Sequence, residues 1–150
     1  MTDKTPRVLS PEEQLLFTTI PDDLSAQEMA RYYTFSLKDK DFIFRHRGPV
    51  NRLGVALQLC TLRFPGRFLL QMTTISEQLV SYVAEQLNLP VGPFAQYGHR
   101  RETPYDHLQN ICQQYGYRPC DKEDAVPLID YLLPFAMEND EALPLVDGAM

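Results

Sequence analysis

The sequence predicts an all-α protein, a compact multi-helix domain built around one central apolar helix. Apolar residues recur at helical spacing in several segments, and most of these segments begin with a capping residue and end at proline or glycine. No convincing run alternates apolar and polar residues as a half-buried strand would. We therefore expect about seven or eight helices and no sheet.

The central helix is predicted within residues 51–64. Its apolar residues form two neighbouring strips, which are Leu53, Ala56, Leu57, Cys60 and Phe64 in one and Val55, Leu59 and Leu62 in the other. A helix that is apolar around most of its circumference usually packs against other helices on several sides. We expect Asn51 to be its N-cap, and Gly54 to mark a place where another backbone comes close.

A first helix is predicted after Ser10, where Pro11 suits the first helical position. Its expected apolar face, Leu15, Leu16 and Ile20, reaches almost to Pro21.

Residues 25–47 predict a helix, a short turn and a second helix. Ser25 and Glu28 have the spacing of a capping box, residues 34–36 break the helix, and Ser36 can cap the next one, which extends to about Arg47. This layout is that of a helix-turn-helix, whose second helix lies in the major groove of DNA. The alternative is an ordinary helical hairpin with a solvated basic face.

Three further helices and one short helical turn are predicted towards the C-terminus. The fifth helix opens within residues 73–77 and ends at residues 88–90, and a short helical turn follows within residues 90–98. Thr103 is the expected N-cap of the next helix, which ends at Gly116. The last helix covers residues 125–137, where Pro134 is expected to kink the helix or end it early.

The domain organisation follows from these segments. We expect a flexible leader at residues 1–9, a helical domain at 10–137 and an acidic tail at 138–150. The helical domain either forms one core or divides into sub-modules at 10–70 and 71–137.

The charges are segregated along the chain. Residues 31–118 carry eleven Lys and Arg against six acidic residues, whereas residues 119–150 carry one basic residue against eight acidic ones. Arginine outnumbers lysine ten to four, which favours bidentate contacts to phosphate or guanine. A basic middle between acidic ends is expected where one surface meets a polyanion, although chance clustering of solvated charges gives the same pattern.

Little in the sequence supports catalysis or metal binding. His99, His107, Cys112 and Cys120 lack the paired close spacing of zinc modules, and no phosphate loop or HExxH motif is present. The three widely spaced cysteines, with neither a membrane-length apolar run nor a signal sequence, favour a cytoplasmic protein. A small enzyme with Cys or His chemistry is the remotest of the hypotheses.

The basic residues cluster near helix ends and on helix faces, where side chains and backbone N–H groups can meet phosphates together. The candidate DNA-binding residues are Lys38, Lys40, Arg45, Arg47, Arg52, Arg63, Arg67, His99, Arg100, Arg101 and Arg118. Arg63 is the least certain of them, because a cap at the negative end of the central helix explains it equally well.

Three segments carry a resemblance to a known family: ARYYTFSLKDKDFIFRHRG, NRLGVALQLCTLRFPGRF and YGHRRETPYDHLQNICQQYGYRP. In this order they resemble the N-terminal, DUF4158-like region of Tn3-family replicative transposases. The long motif from Asn51 to Arg67 is the most specific part. Where relatives tend to have a nearly continuous basic run before Gly48, this chain has Phe44-Arg45-His46-Arg47, which implies a lighter contact with the groove.

The resemblance implies a non-catalytic DNA-binding segment. The partners it implies are double-stranded DNA of the terminal inverted repeats and the remainder of the transposase. It implies no contact with a membrane, and it leaves open whether the full-length protein is a dimer. It implies no cofactor here, since the divalent metal belongs to a distant, RNase H-like catalytic domain. The competing hypothesis is a helical interaction module that contacts other parts of the transposase and binds DNA only weakly.

Overall fold

The computed structural model describes residues 9–16, 18–20, 22–72, 74–97 and 102–138. The helices of these residues are α1 Pro11–Leu16, α2 Ala26–Tyr33, α3 Leu37–Phe44, α4 Pro49–Arg63, α5 Glu77–Leu87, α6 Glu102–Tyr115 and α7 Ala125–Glu138. Three 3₁₀ turns accompany them, at Leu69–Gln71, Gly92–Gln96 and Lys122–Asp124. The only β pairing in the described ranges is an isolated bridge between Thr19 and Thr74, so the predicted all-α class is confirmed.

The chain forms two compact units. The larger unit spans residues 18–117 and contains α2 to α6. The smaller unit combines residues 1–17 with residues 118–150 and contains α1 and α7. Within the ranges given above, every helix is too short or too polar to cross a bilayer.

Helix α4 is the centre of the larger unit, as predicted. Every residue from Leu53 to Thr61 is buried, and the helix contacts α2, α3, α5 and α6 as well as two of the 3₁₀ turns. Because elements surround the helix, both apolar strips are buried up to Cys60, and Leu62 and Phe64 at its end are half-buried.

The start of α4 differs from the prediction. The helix begins at Pro49, and its N-cap is Gly48 with φ of 82°, a left-handed conformation that glycine adopts without a Cβ clash. Proline is preorganised for the first helical position. Asn51 is therefore inside the helix, where its side-chain amide donates to the carbonyl of Arg47 at 3.0 Å.

The helices before α4 begin at the predicted serines. Ser25 and Ser36 each form a complete capping box, with Glu28 and Asp39 respectively as the third helical residue. Helix α3 ends at Phe44 rather than near Arg47, and the N–H groups of the next two residues bond three residues back, which tightens the last turn. The three-residue turn between α2 and α3 is as predicted, while the helix-turn-helix function of the pair stays a prediction.

Helices α5 and α6 confirm most of the predicted limits. Ser76 caps α5, which ends at the left-handed Asn88, and α6 ends at Gly116 with φ of 73°. However, α6 begins at Glu102, so Thr103 lies inside the helix instead of capping it. Since the first N–H groups of a helix have no intrahelical partner, Pro104 is tolerated in this turn without being the first residue.

The smaller unit departs further from the sequence prediction. Helix α1 ends at Leu16, so Ile20 lies outside it and is buried in the core of the larger unit, while Leu15 and Leu16 are exposed. Helix α7 continues through Pro134 to Glu138, and none of its residues is buried. An exposed helix can accommodate proline because water solvates the carbonyl that loses its N–H partner.

Candidate nucleic-acid interface

Arg63, a predicted DNA-binding residue, forms an ion pair inside the larger unit. Its guanidinium donates two hydrogen bonds to the carboxylate of Asp39, at 2.8 and 3.1 Å, and Tyr115 donates a third at 2.7 Å. The arrangement joins the end of α4 to α3 and α6. Since the carboxylate occupies the guanidinium, a phosphate would have to compete with Asp39 for Arg63.

The electrostatics of Asp39 agree with this arrangement. Burial disfavours the charged carboxyl, but hydrogen bonds from Arg63, Tyr115 and the backbone of Ser36 outweigh it and lower the pKa to about 2. The same ion pair raises the pKa of Arg63 despite its partial burial. Asp39 is therefore a carboxylate at neutral pH.

Arg52 stabilises the end of α3. Its Nε donates to the carbonyl of His46 at 2.9 Å, and its guanidinium lies over the ring of Phe44, 5.1 Å from the centroid. A cation at the C-terminal end of a helix is favoured by the exposed carbonyls there. Arg52 thus already has a structural role, although it is only half-buried.

Arg118 belongs to the smaller unit and is also paired. Its guanidinium donates to the carboxylates of Asp124 and Asp121, the latter at 3.3 Å. The hydrogen bond from Arg118 and the backbone hydrogen bond from Asp121 lower the pKa of Asp124 below its ordinary value. The pair is exposed, so its contribution to stability is small.

The remaining described candidates form no ion pair within the described residues. They are Lys38, Arg45, Arg47 and Arg67, which are exposed, and Lys40, which is half-buried. His99, Arg100 and Arg101 lie outside the described residues. These five cations therefore have charges that no acidic side chain in the described part of the chain neutralises, and unlike Arg52 they do not cap a helix end through their side chains.

Arg45 borders an open cleft between the end of α3 and α6. The cleft has a volume of about 430 Å³ and is lined by Phe42, Arg45, His46, Asn110, Gln113 and Gln114. His46 Nδ1 lies 3.2 Å from the carbonyl of Phe42, and because a carbonyl only accepts, this nitrogen carries a proton. The cleft therefore presents one permanent cation and three amide groups.

A buried polar network joins α6 to α4 through Tyr97. The amide of Gln58 donates to the hydroxyl of Tyr97 at 2.6 Å and to the carbonyl of Pro104 at 2.9 Å. The Tyr97 hydroxyl lies 2.9 Å from Nδ1 of His107, whose pKa is lowered to about 4 by burial and by the neighbouring His46. His107 is therefore neutral at pH 7, and its Nδ1 can accept a hydrogen bond from the Tyr97 hydroxyl.

Three of the four residues in the disfavoured zinc set, His107, Cys112 and Cys120, are among those that the structure describes. No group of three or more His, Cys, Asp and Glu side chains in that part of the chain could hold a metal ion. Of the four residues, His107 is committed to Tyr97, and His99 lies outside the described ranges.

Residues 8–150 match the family described as "Domain of unknown function (DUF4158)". The chain belongs to the DUF4158 family. It is 35% identical over 141 residues to the transposases of transposons Tn3926 and Tn21 of Escherichia coli, and 30% identical over 139 residues to that of Tn1546 of Enterococcus faecium. These alignments cover 93–94% of the chain but 14% of each relative. The resemblance to Tn3-family transposases is thereby confirmed.

Several residues that line or support the cleft beside Arg45 in this DUF4158 chain were not identified from the sequence. Gln58 is fully buried, and a polar residue inside the most apolar run of the chain was a usable signal for a buried hydrogen-bond network. Asn110, Gln113 and Gln114 gave no comparable signal, since exposed amides on a helix are common. Only the packing of α6 beside the end of α3 places them next to Arg45.

Proposed function

We propose that this chain is the non-catalytic DNA-binding part of a Tn3-family transposase and that it binds the terminal inverted repeats of its transposon in the cytoplasm. The observation that carries the proposal is a group of exposed cations on the larger unit, Lys38, Arg45, Arg47 and Arg67, which have no acidic partner among the described residues. Cations without acidic partners can bind phosphates and release counterions from DNA without first breaking an ion pair inside the protein. The transposase relatives supply the biological context for such a surface.

The proposed interface includes the half-buried Lys40 and the predicted basic segment His99, Arg100 and Arg101, which lies outside the described residues. Arg52, Arg63 and Arg118 are also part of the proposed interface. We expect them to contribute less to DNA binding, because each already contacts a partner in the chain. We propose no cofactor for this part of the protein, and a divalent metal only for the catalytic domain of the whole transposase.

The test is a titration of the purified chain with labelled inverted-repeat duplex and with a scrambled duplex, each at two salt concentrations. Specific binding predicts a preference for the repeat that survives added salt. Equal and steeply salt-sensitive binding to both duplexes would contradict the proposal.

Arg45→Ala and Arg47→Ala are expected to weaken binding to the repeat by roughly 1–3 kcal/mol each if they contact bases, or to reduce the salt dependence by about one ion if they contact phosphate. Arg31→Ala is the matched control, because Arg31 is an exposed arginine on α2 whose contact in the structure is with the Tyr32 ring. If the Arg45 and Arg47 variants bind like the Arg31 variant, these residues do not belong to the interface.

One observation favours the alternative function, a protein-interaction module. Helix α7 exposes the large apolar side chains Val126, Leu128, Ile129, Tyr131, Leu133, Phe135 and Met137. Apolar surface of this extent usually marks a protein contact. Under this alternative, the remainder of the transposase binds the module, and the titration above yields only weak binding without a sequence preference.

A further inference from the structure

The exposed side chains in the C-terminal half of α6 are amides. Gln109, Asn110 and Gln113 are exposed and Gln114 is half-buried, and from His107 to Tyr115 the helix has neither an acidic residue nor a Lys or Arg. Acidic residues are confined to its first turns, at Glu102 and Asp106. From His107 to Tyr115, α6 has no carboxylate that would repel DNA phosphates, and the exposed Asp106 lies one turn before Asn110.

Among the described residues, several amides of the larger unit are already hydrogen-bonded within the fold, whereas three amides of α6 are not. Gln58, Gln78 and Gln86 each donate a side-chain hydrogen bond to a distant part of the fold. Within the described residues, Asn110, Gln113 and Gln114 have no side-chain hydrogen bond in the chain. Their donors and acceptors are therefore available to a ligand.

Helix α3 and its C-cap residue expose charged side chains instead of amides, with Lys38, Asp41 and Arg45 among them. The structure nevertheless joins Arg45 to the amide face of α6, since both line the same cleft.

The amide face is held rigidly. Pro104 and His107 are tied to α4 through Gln58 and Tyr97, Ile111 is fully buried, and Tyr115 donates to Asp39. A helix fixed at both ends loses little conformational freedom when it binds.

We infer that α6 is the base-reading helix of the chain, with Asn110, Gln113 and Gln114 contacting base edges in the major groove and Arg45 contacting guanine or phosphate beside them. Asn and Gln pair bidentately with adenine because an amide matches its N7 acceptor and N6 donor. This inference rests on the proposed function and adds to that function the identity of the base-reading helix and of the preferred base.

The first experiment compares Asn110→Ala, Gln113→Ala, Gln114→Ala and the triple variant with the parent chain, by fluorescence anisotropy with the inverted repeat and a scrambled duplex. Removing one amide that reads a base is expected to lower the preference for the repeat by roughly 5- to 150-fold. Affinity for the scrambled duplex and its salt dependence are expected to stay unchanged, because amides neutralise no phosphate. Gln27→Ala, an exposed glutamine on α2, is the matched control.

The second experiment changes the DNA instead of the protein. Replacing repeat adenines one at a time by 7-deazaadenine removes the N7 acceptor but preserves base pairing. At the contacted positions this replacement should weaken binding by the parent chain and have no further effect on the triple variant. This measurement keeps the inference testable even if a variant folds poorly.

The outcomes separate the inference from the proposed function. If the parent chain has no preference for the repeat, the proposed function fails and the inference fails with it. If the parent prefers the repeat while the α6 variants keep that preference as fully as Gln27→Ala, and 7-deazaadenine has no effect, the proposed function survives and α6 is not the reading helix.

Discussion

Asp39 receives hydrogen bonds from α4 and α6 while it also caps its own helix, and this residue decides how three helices meet. The carboxylate accepts from Arg63, Tyr115 and the backbone N–H of Ser36, so its buried charge is compensated on several sides. A buried charge is tolerated only with such compensation.

The first prediction concerns Asp39→Asn, which removes the charge and keeps the shape. We expect a loss of about 2–3 kcal/mol of unfolding free energy at pH 7, less than a fully buried pair would cost because Arg63 is partly exposed and can be solvated. Urea unfolding measures the change. Asp41→Asn on the exposed side of α3 is the control and should change stability by about 0.5 kcal/mol or less.

The second prediction gives the pH dependence of the same residue. Because the pKa of Asp39 is about 2 in the folded chain against an ordinary value of 3.8, its contribution is fully present above about pH 4 and is lost as the pH falls towards 2. Urea unfolding from pH 5 to pH 2 should therefore show a steeper loss for the parent than for Asp39→Asn. Parallel curves would contradict the assignment.

At the scale of the element, α4 packs closely against Tyr97, in the turn before α6. This contact is possible because residue 54 of α4 is glycine and has no side chain. A Cβ added at Gly54 would overlap the Cδ2, Cε2 and Cζ atoms of the Tyr97 ring. The ring cannot move away freely, because its hydroxyl bonds to Gln58 and His107. Position 54 therefore requires glycine because the Tyr97 ring lies against it. The sequence instead predicts that another backbone segment comes close at this position.

The third prediction is that Gly54→Ala destabilises the chain although alanine is the better helix former. The gain of about 1 kcal/mol in helix propensity should be outweighed by overlap with Tyr97, for a net cost of about 1–3 kcal/mol in urea unfolding. Gly92→Ala, where a Cβ would meet open space, is the control. In a Tyr97→Ala background, Gly54→Ala should no longer destabilise, and a persistent cost would point to another cause.

At the scale of the whole molecule, α4 connects most elements of the larger unit. Its apolar side chains from Leu53 to Cys60 belong to the core that also contains residues of α2, α3, α5 and α6. Stability of the larger unit should therefore depend strongly on this one helix.

The fourth prediction is that Leu57→Ala lowers the free energy of unfolding by about 2–5 kcal/mol, because it leaves a cavity at a fully buried position. Leu37→Ala, at a position that is 83% exposed, should change it by about 0.5 kcal/mol or less. Similar effects of the two substitutions in urea unfolding would contradict the central role of α4.

Local signals were sufficient for most of the fold. Ser25, Ser36 and Ser76 begin helices, and Asn88 and Gly116 end them, because capping depends on residues within one turn. Predictions failed where two nearby residues could each serve as the N-cap, as Gly48 and Asn51 could at the start of α4. They also failed at α1, which ends at Leu16 and leaves Ile20 in the core of the larger unit.

The sequence by itself determined the all-α class, the central helix and the family, because periodicity, caps and a specific motif are properties of the chain. Tertiary structure alone decided that Arg63 is already paired, since Arg63 and Asp39 are 24 residues apart in sequence and meet only when α3 packs against α4. It also decided that the amides of α6 lie beside Arg45. Charge along a chain indicates a partner, but only packing determines which charges remain free to meet it.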